Sequence, residues 1–563
     1  MTFLRSTLWL PPALALALAA SAGGGAEGGA QTGDGSVVTL EPVFVEASSA
    51  NPWQYFKVPG YEVISHCPDD FNGKFARALD RAAAAREALL PEDFWGKLAT
   101  PVKIILYNRK PEGRPGLARA RPIDLSWEAD EDGAAGPYSV VKSYPSVVGD
   151  GDTFINCGNY WDLIPGAPNF SVDPDSAILL ESRAPQWPAW LRAGLEGPQG
   201  LVTNRVIESA ASGPDFLVLP SVVWVSAAET AAILKDPRHP RAVLPLPELF
   251  KSPVTADLAA WEAGTALFVR WGLFGREPDG APHREAFLGF VRSAASEPVS
   301  EEVFRRSFGM GYAEAEGRLR AFVATAVGPP VRVPLRAASE RPLELREATP
   351  SEIARIVGEW GRLEGKAVGM QDMGYQSECL EQADRLFERA YARTTDDPQF
   401  LAAYGLYALQ VGDMKRAREC LGEATDRGVV RPRAYVELAR VRLLDALPYA
   451  EQGIGDLSDP DYAAILRLLA TAREQMPSLL AGYQVLARAM EHAPRRPTRE
   501  DMAVLLGAVG LFPRNGSFAY KVATLYRRFG YPEDARAVVL RAMGLAETKE
   551  ARARLASVLD GGR

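Results

Sequence analysis

The last third of this sequence repeats itself. Ala383, Phe387 and Ala390 return 34 residues later as Ala417, Leu421 and Ala424, and Ala535, Val539 and Ala542 reproduce the spacing near the C-terminus. Leu401, Tyr404, Gly405, Ala408 and Gly412 lead into the second set, and Val522, Ala523, Tyr526 and Gly530 into the last. Small residues at these intervals let two antiparallel helices approach closely, while the large ones fill the space between neighbouring units. A single such unit cannot bury its apolar face, so the chain must stack several. The insertion ALPYAEQGIGDLSDPD, from Ala446, breaks the register. Four or five helical hairpins, not all regular, are therefore expected.

Period and residue sizes together resemble the tetratricopeptide (TPR) repeat family, over residues 376–560. The resemblance implies an α-solenoid whose surface takes a protein or peptide partner.

At the other end, Arg5 precedes an apolar run from Leu8 to Ala20, followed by the small residues Ala20-Ser21-Ala22. This is the layout of a secretory signal peptide over 1–22, and the run is too short and Pro-interrupted for a membrane span. Residues 23–52, rich in Gly, Ala and Ser, read as a flexible linker. No later stretch reaches 18 unbroken apolar residues, so no transmembrane segment is expected after signal removal. The expected location is exported, periplasmic or extracellular. Export permits disulfides, and Cys67 with Cys157 and Cys379 with Cys420 are pairings compatible with the domain limits. Spacing establishes neither, and free buried cysteines are the other reading. Lys and Arg total 63 against 71 Asp and Glu, a formal net charge of -8, which argues against a nucleic-acid partner.

Between leader and repeats the pattern is mixed. Tyr61–His66 and Val102–Asn108 read as strands flanking a helix over Asp70–Leu90, a small α/β unit within 53–170. Pro137–Leu163 alternates like a short antiparallel segment. Residues 171–327 turn helical, with apolar stripes in Ala259–Phe274, His283–Ala295 and Tyr312–Val327. A Pro/Arg-rich passage opens a linker with irregular helices over 328–375. The fold class expected is multidomain, α+β followed by all-α.

One stretch, SVDPDSAILLESRAPQWPAWLRAGLEG (Ser171–Gly197), resembles the gluzincin (thermolysin-like, MA-type) metallopeptidases. In that family H-E-x-x-H on one helix precedes a leucine-rich segment and a Pro-x-W-L-x-E-G motif. Ile178-Leu179-Leu180, Pro188-Ala189-Trp190-Leu191 and Gly194-Leu195 match the flanks, FRRSFG (Phe304–Gly309) matches the domain's end, and the likeness covers about 55–327. Aligned through the flanks, the two His positions are Asp173 and Ala177, the general-base position is Pro174, and the third ligand position is Ala193. These residues imply a degenerate zinc site: no metal, no cofactor and no catalysis. Pro174 would break a helix interior, so Asp173-Pro174-Asp175 reads as an N-cap, a first-turn Pro and a first-turn carboxylate. Asp173, Asp175 and Glu196 fall short of the oxygens a calcium ion needs, and Glu181 reads as a surface ion pair.

Other groups carry less. Only four His occur (His66, His239, His283, His492) and no two make a local metal motif. His66 beside Cys67 on an extended segment points to the opposite face. Gly149–Asp152 reads as a turn, and Trp187, Trp190, Trp261 and Trp271 as helical core. The function expected is an exported, non-catalytic pseudopeptidase whose TPR-like repeats bind a protein or peptide. An active hydrolase with a non-standard site and an envelope-assembly scaffold are the alternatives.

Overall fold

The computed structural model describes residues 52–108, 146–159, 176–197 and, with interruptions, 200–560. The leader, the linker up to residue 51 and Asp173-Pro174-Asp175 lie outside the described residues. Strand β1 (Gln54–Val58) turns through Pro59-Gly60 into β2 (Tyr61–Ser65), with Gly60 at φ 84°, where a side chain would be strained. The helix Asp69–Leu89 crosses over to β3 (Val102–Tyr107), which runs parallel to β2. The hairpin β4 (Ser146–Gly149) and β5 (Phe154–Asn159) is antiparallel, as read from its alternation, but β5 also pairs parallel with β3 and so extends the same sheet.

Both faces of this sheet are covered, which is why β3 reads VKIILY with almost no alternation. Phe71, Phe75 and Leu79 of the crossover helix meet Val63, Ile104 and Leu106 on one face. On the other, Ile64, Ile105 and Ile155 meet Ile356, Val357, Trp360 and Leu363. Lys103 and Glu62 share that second face and are buried there.

The central part is helical as expected, with helices at Leu258–Phe274, Arg284–Ser296, Glu301–Phe308 and Tyr312–Val327 around a cluster of Trp and Phe. It also contains strand structure that helical periodicity concealed. Strands β6 (Val206–Glu208), β7 (Phe216–Leu219) and β8 (Val331–Pro334) form an antiparallel sheet.

The described part of 328–375 has the irregular helices expected, but it is built into both sheets. It supplies β8 to one sheet and β9 (Arg346–Glu347), which edges the other through β1. It then starts a helix at Pro350 with a capping box between Thr349 and Glu352. A π-turn at Ala354–Gly358 leads into Glu359–Val368. Prolines placed on short edge strands look like breakers in sequence, yet an edge strand tolerates them.

The helical array therefore begins before residue 376. Among the described residues it has five antiparallel hairpins. They are Glu359–Val368 with Met373–Tyr391, Pro398–Val411 with Met414–Asp426, Pro432–Ala446 with Asp459–Glu474, Leu480–Glu491 with Arg499–Leu511, and Gly516–Arg528 with Pro532–Leu545. The helix Lys549–Asp560 closes it. The repeated apolar residues face inward: Ala383, Phe387, Leu421, Val522, Ala535 and Val539 are fully buried in one continuous core, and Ala417 is buried too. At the second hairpin a Cβ on Gly405 would sit 2.7 Å from Leu421 Cγ and 3.0 Å from Leu421 N, so only glycine allows this helix spacing. Period, hairpin pairing and small-residue contacts make the array TPR-like. Among the described residues no helix is long and apolar enough to cross a membrane.

Candidate functional site

In the segment whose sequence resembles the metallopeptidase motif, two short helices form, Ser176–Glu181 and Ala189–Glu196. Pro188 caps the second, and Trp190, Leu191 and Leu195 drive it into the central core. Gly194 lies against the helix Leu258–Phe274 so closely that a Cβ would be 2.5 Å from Val269 Cγ2 and 2.7 Å from Thr265 O. Ala193, at the aligned third-ligand position, is half-buried and packs on the same core. Ala177 stands in the first turn of its helix, and Asp173 and Pro174 fall outside the described residues.

The charged residues of these two helices are Glu181, Arg192 and Glu196. Glu181 is not the surface pair expected, because its Oε2 is buried without a hydrogen-bond partner. Burial raises its carboxyl above the ordinary range, and Arg192 opposes that shift. Burial, with the neighbouring charge of Glu181 second, pushes Glu196 up to about 8. One carboxyl of this pair is therefore neutral near pH 7. Nothing in the sequence pattern signals this, since the two residues sit on separate helices and each reads as an exposed helix terminus.

The remaining candidates are dispersed. His66 stacks on Trp53 with ring centroids 3.5 Å apart, while Cys67 lies in the core on the other face of the sheet, where burial lifts its thiol to about 11. His283 lies 4.4 Å from the Trp271 ring, centroid to centroid. Among the described residues no three His, Cys, Asp or Glu side chains converge as metal ligands. Trp187, Trp190, Trp261 and Trp271 are all buried in the central core. Cys67, Cys157, Cys379 and Cys420 are buried and none of them forms a disulfide. The pairings compatible with the sequence are not formed: Cys67 and Cys157 belong to cores on opposite faces of one sheet.

The densest set of charges joins the sheet to the array. The turn at Gly149–Asp152, with Gly151 at φ 96°, buries Asp150 and Asp152 instead of exposing them. Arg362 Nη2 donates to Asp150 Oδ2 and to Glu359 Oε1, each at 2.5 Å, and Arg431 Nη2 donates to the same Glu359 oxygen at 2.5 Å. The backbone N of Arg433 donates to Asp152 Oδ2 at 2.7 Å. On the neighbouring strand Arg355 grips Glu62 with two bonds, 2.6 and 3.2 Å, and its Nε lies 3.4 Å from Asp397, the cap of the helix Pro398–Val411. Burial pushes Glu62 upward, but the Arg355 bonds prevail and bring it down to about 2. Asp152 rises to about 6, through burial first and the charge of Asp150 second. Lys103 falls to about 8, from burial and then the nearby Arg431. Arg514 adds a contact elsewhere, donating to Ala294 O at 2.6 Å and Ala295 O at 3.2 Å at the end of the helix Arg284–Ser296.

No family model matches the chain, and no curated protein matches it. Among solved structures, a mutant of MamA is similar at 18% identity and a TM-score of 0.23, covering 33% of this chain and 96% of that one. TTC0263, described as a thermophilic TPR protein in Thermus thermophilus, is similar at 21% identity and a TM-score of 0.25, covering 36% of this chain and 98% of that one. At such scores the array's architecture stands on its own helices.

Proposed function

We propose that this chain is an exported, non-catalytic binding protein, in which a peptidase-like body has lost its metal site and the TPR-like array engages a protein or peptide. The observation that carries the reading is the packing around Gly194. The segment aligned with a third zinc ligand has Ala193 against a core and no imidazole in either helix, only Glu181, Arg192 and Glu196. Without deprotonated N or O ligands in a set of three, no bound water can be activated by zinc. Stacked hairpins, by contrast, present an extended surface independent of that chemistry. Purified full-length protein should hold no stoichiometric zinc and cleave no generic peptide substrate, while panning displayed peptides on it should yield binders. Stoichiometric zinc with chelator-sensitive cleavage would overturn the proposal.

The Glu181–Glu196 pair favours a second reading, hydrolysis by acid–base carboxyls. That reading requires a cleavage activity abolished by Glu196→Gln at unchanged stability.

A further inference from the structure

The final hairpins differ from the rest of the chain in charge. Residues 495–563 hold 13 Lys and Arg against 7 Asp and Glu, in a chain whose formal net charge is -8. Arg536 and Arg541 are exposed on the helix Pro532–Leu545, and among the described residues no carboxylate pairs with either. The same outer surface carries two uncovered leucines. Leu506 is 38% exposed and Leu540 is 53% exposed. They are 34 residues apart, one full repeat, so they occupy the same position on the second helices of the last two hairpins. The equivalent position in the second hairpin is Gly422, so the ridge is not a general property of the repeat. The two helices are neighbours: Arg499 donates to Asp534 at 2.5 Å, and a Cβ on Gly510 would lie 3.8 Å from Arg541 Nη2. Beside Leu506, Gly507 has nothing within 4 Å of its Cβ position and leaves the surface open.

We propose that this outer face of the last two hairpins docks an acidic amphipathic helix of a protein partner. Neighbouring helices pack ~8–10 Å apart, and seven residues of a helix span ~10.5 Å, so apolar residues at i and i+7 can meet Leu506 and Leu540 together. Carboxylates on the flanks of that helix face Arg536 and Arg541, giving charge complementarity that the acidic remainder of the chain cannot supply. Leu506 is 38% and Leu540 53% clear of the protein, which suits a helix lying alongside better than insertion among acyl chains. A nucleic acid would use the arginines and leave the leucines unused.

This inference rests on the binding role proposed above and gives it a surface and a chemistry. The test uses the full chain and a fluorescent peptide with Leu at i, i+7 and i+14 and Glu on its flanks, read by anisotropy. The acidic peptide should bind, weaken with added salt, and lose about tenfold or more in affinity with Leu506→Ser/Leu540→Ser and with Arg536→Glu/Arg541→Glu. These side chains are exposed, so circular dichroism should show both variants folded. Binding no stronger than that of the same peptide with Lys for Glu, or binding unchanged in both variants, overturns the inference. So does a face that ignores the peptide but takes phosphatidylglycerol vesicles or an oligonucleotide in a way the variants abolish. If the acidic peptide fails while panned peptides bind elsewhere on the chain, this surface is wrong and the binding role stands. If neither the acidic peptide nor any panned peptide binds, both fall.

Discussion

Arg362 and Asp150 are 212 positions apart in the chain and 2.5 Å apart in space. Their bond fixes the β4–β5 turn to the first helix of the array, and the same guanidinium nitrogen also reaches Glu359. Arg362, Asp150 and Glu359 are all nearly inaccessible to solvent. Such a cluster is costly to desolvate, and removing Arg362 leaves two buried carboxylates to the one guanidinium of Arg431, 2.5 Å from Glu359 and 4.0 Å from Asp150. Sheet and array are held together here by ions as well as by the apolar contact of Trp360 and Leu363.

Arg362→Met should therefore destabilise the whole protein by about 3 kcal/mol, the low end for breaking a buried ion pair, because Asp150 and Glu359 lose one of the two guanidiniums they share and keep Arg431. Urea unfolding of the full chain checks this. Arg362→Lys should fall between, since an ammonium cannot reproduce the guanidinium fork. A loss below about 1 kcal/mol for Arg362→Met, the scale of an exposed ion pair, would mean that the array is docked by apolar contact alone.

The buried carboxyls give stability a defined pH dependence. Glu196 sits at about 8 in the fold against an ordinary 4.5, so the folded chain binds this proton more tightly than the unfolded one. Its contribution is fully present below about 4.5 and is lost as pH rises through about 8. Asp152 acts in the same direction over a lower window, from 3.8 to about 6. Glu62 acts oppositely, its contribution being lost as pH falls from 4.5 through about 2. The unfolding midpoint should decline between about pH 4 and about pH 8, with a slope of at most ~1.4 kcal/mol per unit from each group, while Lys103, lowered to about 8, acts the other way above that range. Glu196→Gln should flatten the alkaline half of that decline and leave the variant the more stable of the two at about pH 9. A wild-type profile that stays flat above about pH 6 would refute the assignment.

How much of this was legible depended on whether the signal was local. The 34-residue period pointed to the array, because Ala383, Phe387 and Gly405 do their packing within one hairpin or its neighbour. The strand–helix–strand unit was legible for the same reason. The first helix of the array was hidden, since Pro350–Val368 divides its faces between the sheet and Phe387 and shows no clean stripe. Arg431 and Asp152 carried no warning either. A charged residue reads as solvated unless its partner is near in sequence, and Asp152 finds the backbone of Arg433 across 281 positions. Over Ser176–Glu196 the lack of imidazoles was plain, whereas the coupling of Glu181 to Glu196 needed the two helices to be placed.

The thiols offer a direct check on the covalent frame. All four cysteines are buried thiols without a disulfide, and burial raises Cys67 to about 11 and Cys379 and Cys420 to about 12. Thiolate is the reactive form, so native protein should react with Ellman's reagent at well under one equivalent over minutes. Denatured, unreduced protein should release four. Zero in the denatured sample would show that both pairings form in solution, and two would show one.

Two glycines of the second hairpin separate close packing from helix propensity. Gly405→Ala places a methyl against Leu421, including its backbone nitrogen at 3.0 Å, and backbone cannot rotate away. Overpacking of this kind costs about 1–3 kcal/mol, so the variant should unfold earlier than wild type. Gly422, in the helix Met414–Asp426, has nothing within 4 Å of its Cβ position. Gly422→Ala gains the helix preference of alanine and loses nothing, so it should stabilise by about 0.5–1 kcal/mol. Opposite signs from chemically identical substitutions, read in one set of urea melts, would place the tight helix crossing at Gly405. Equal signs would mean that the hairpin is looser than a 2.7 Å approach to Leu421 Cγ requires.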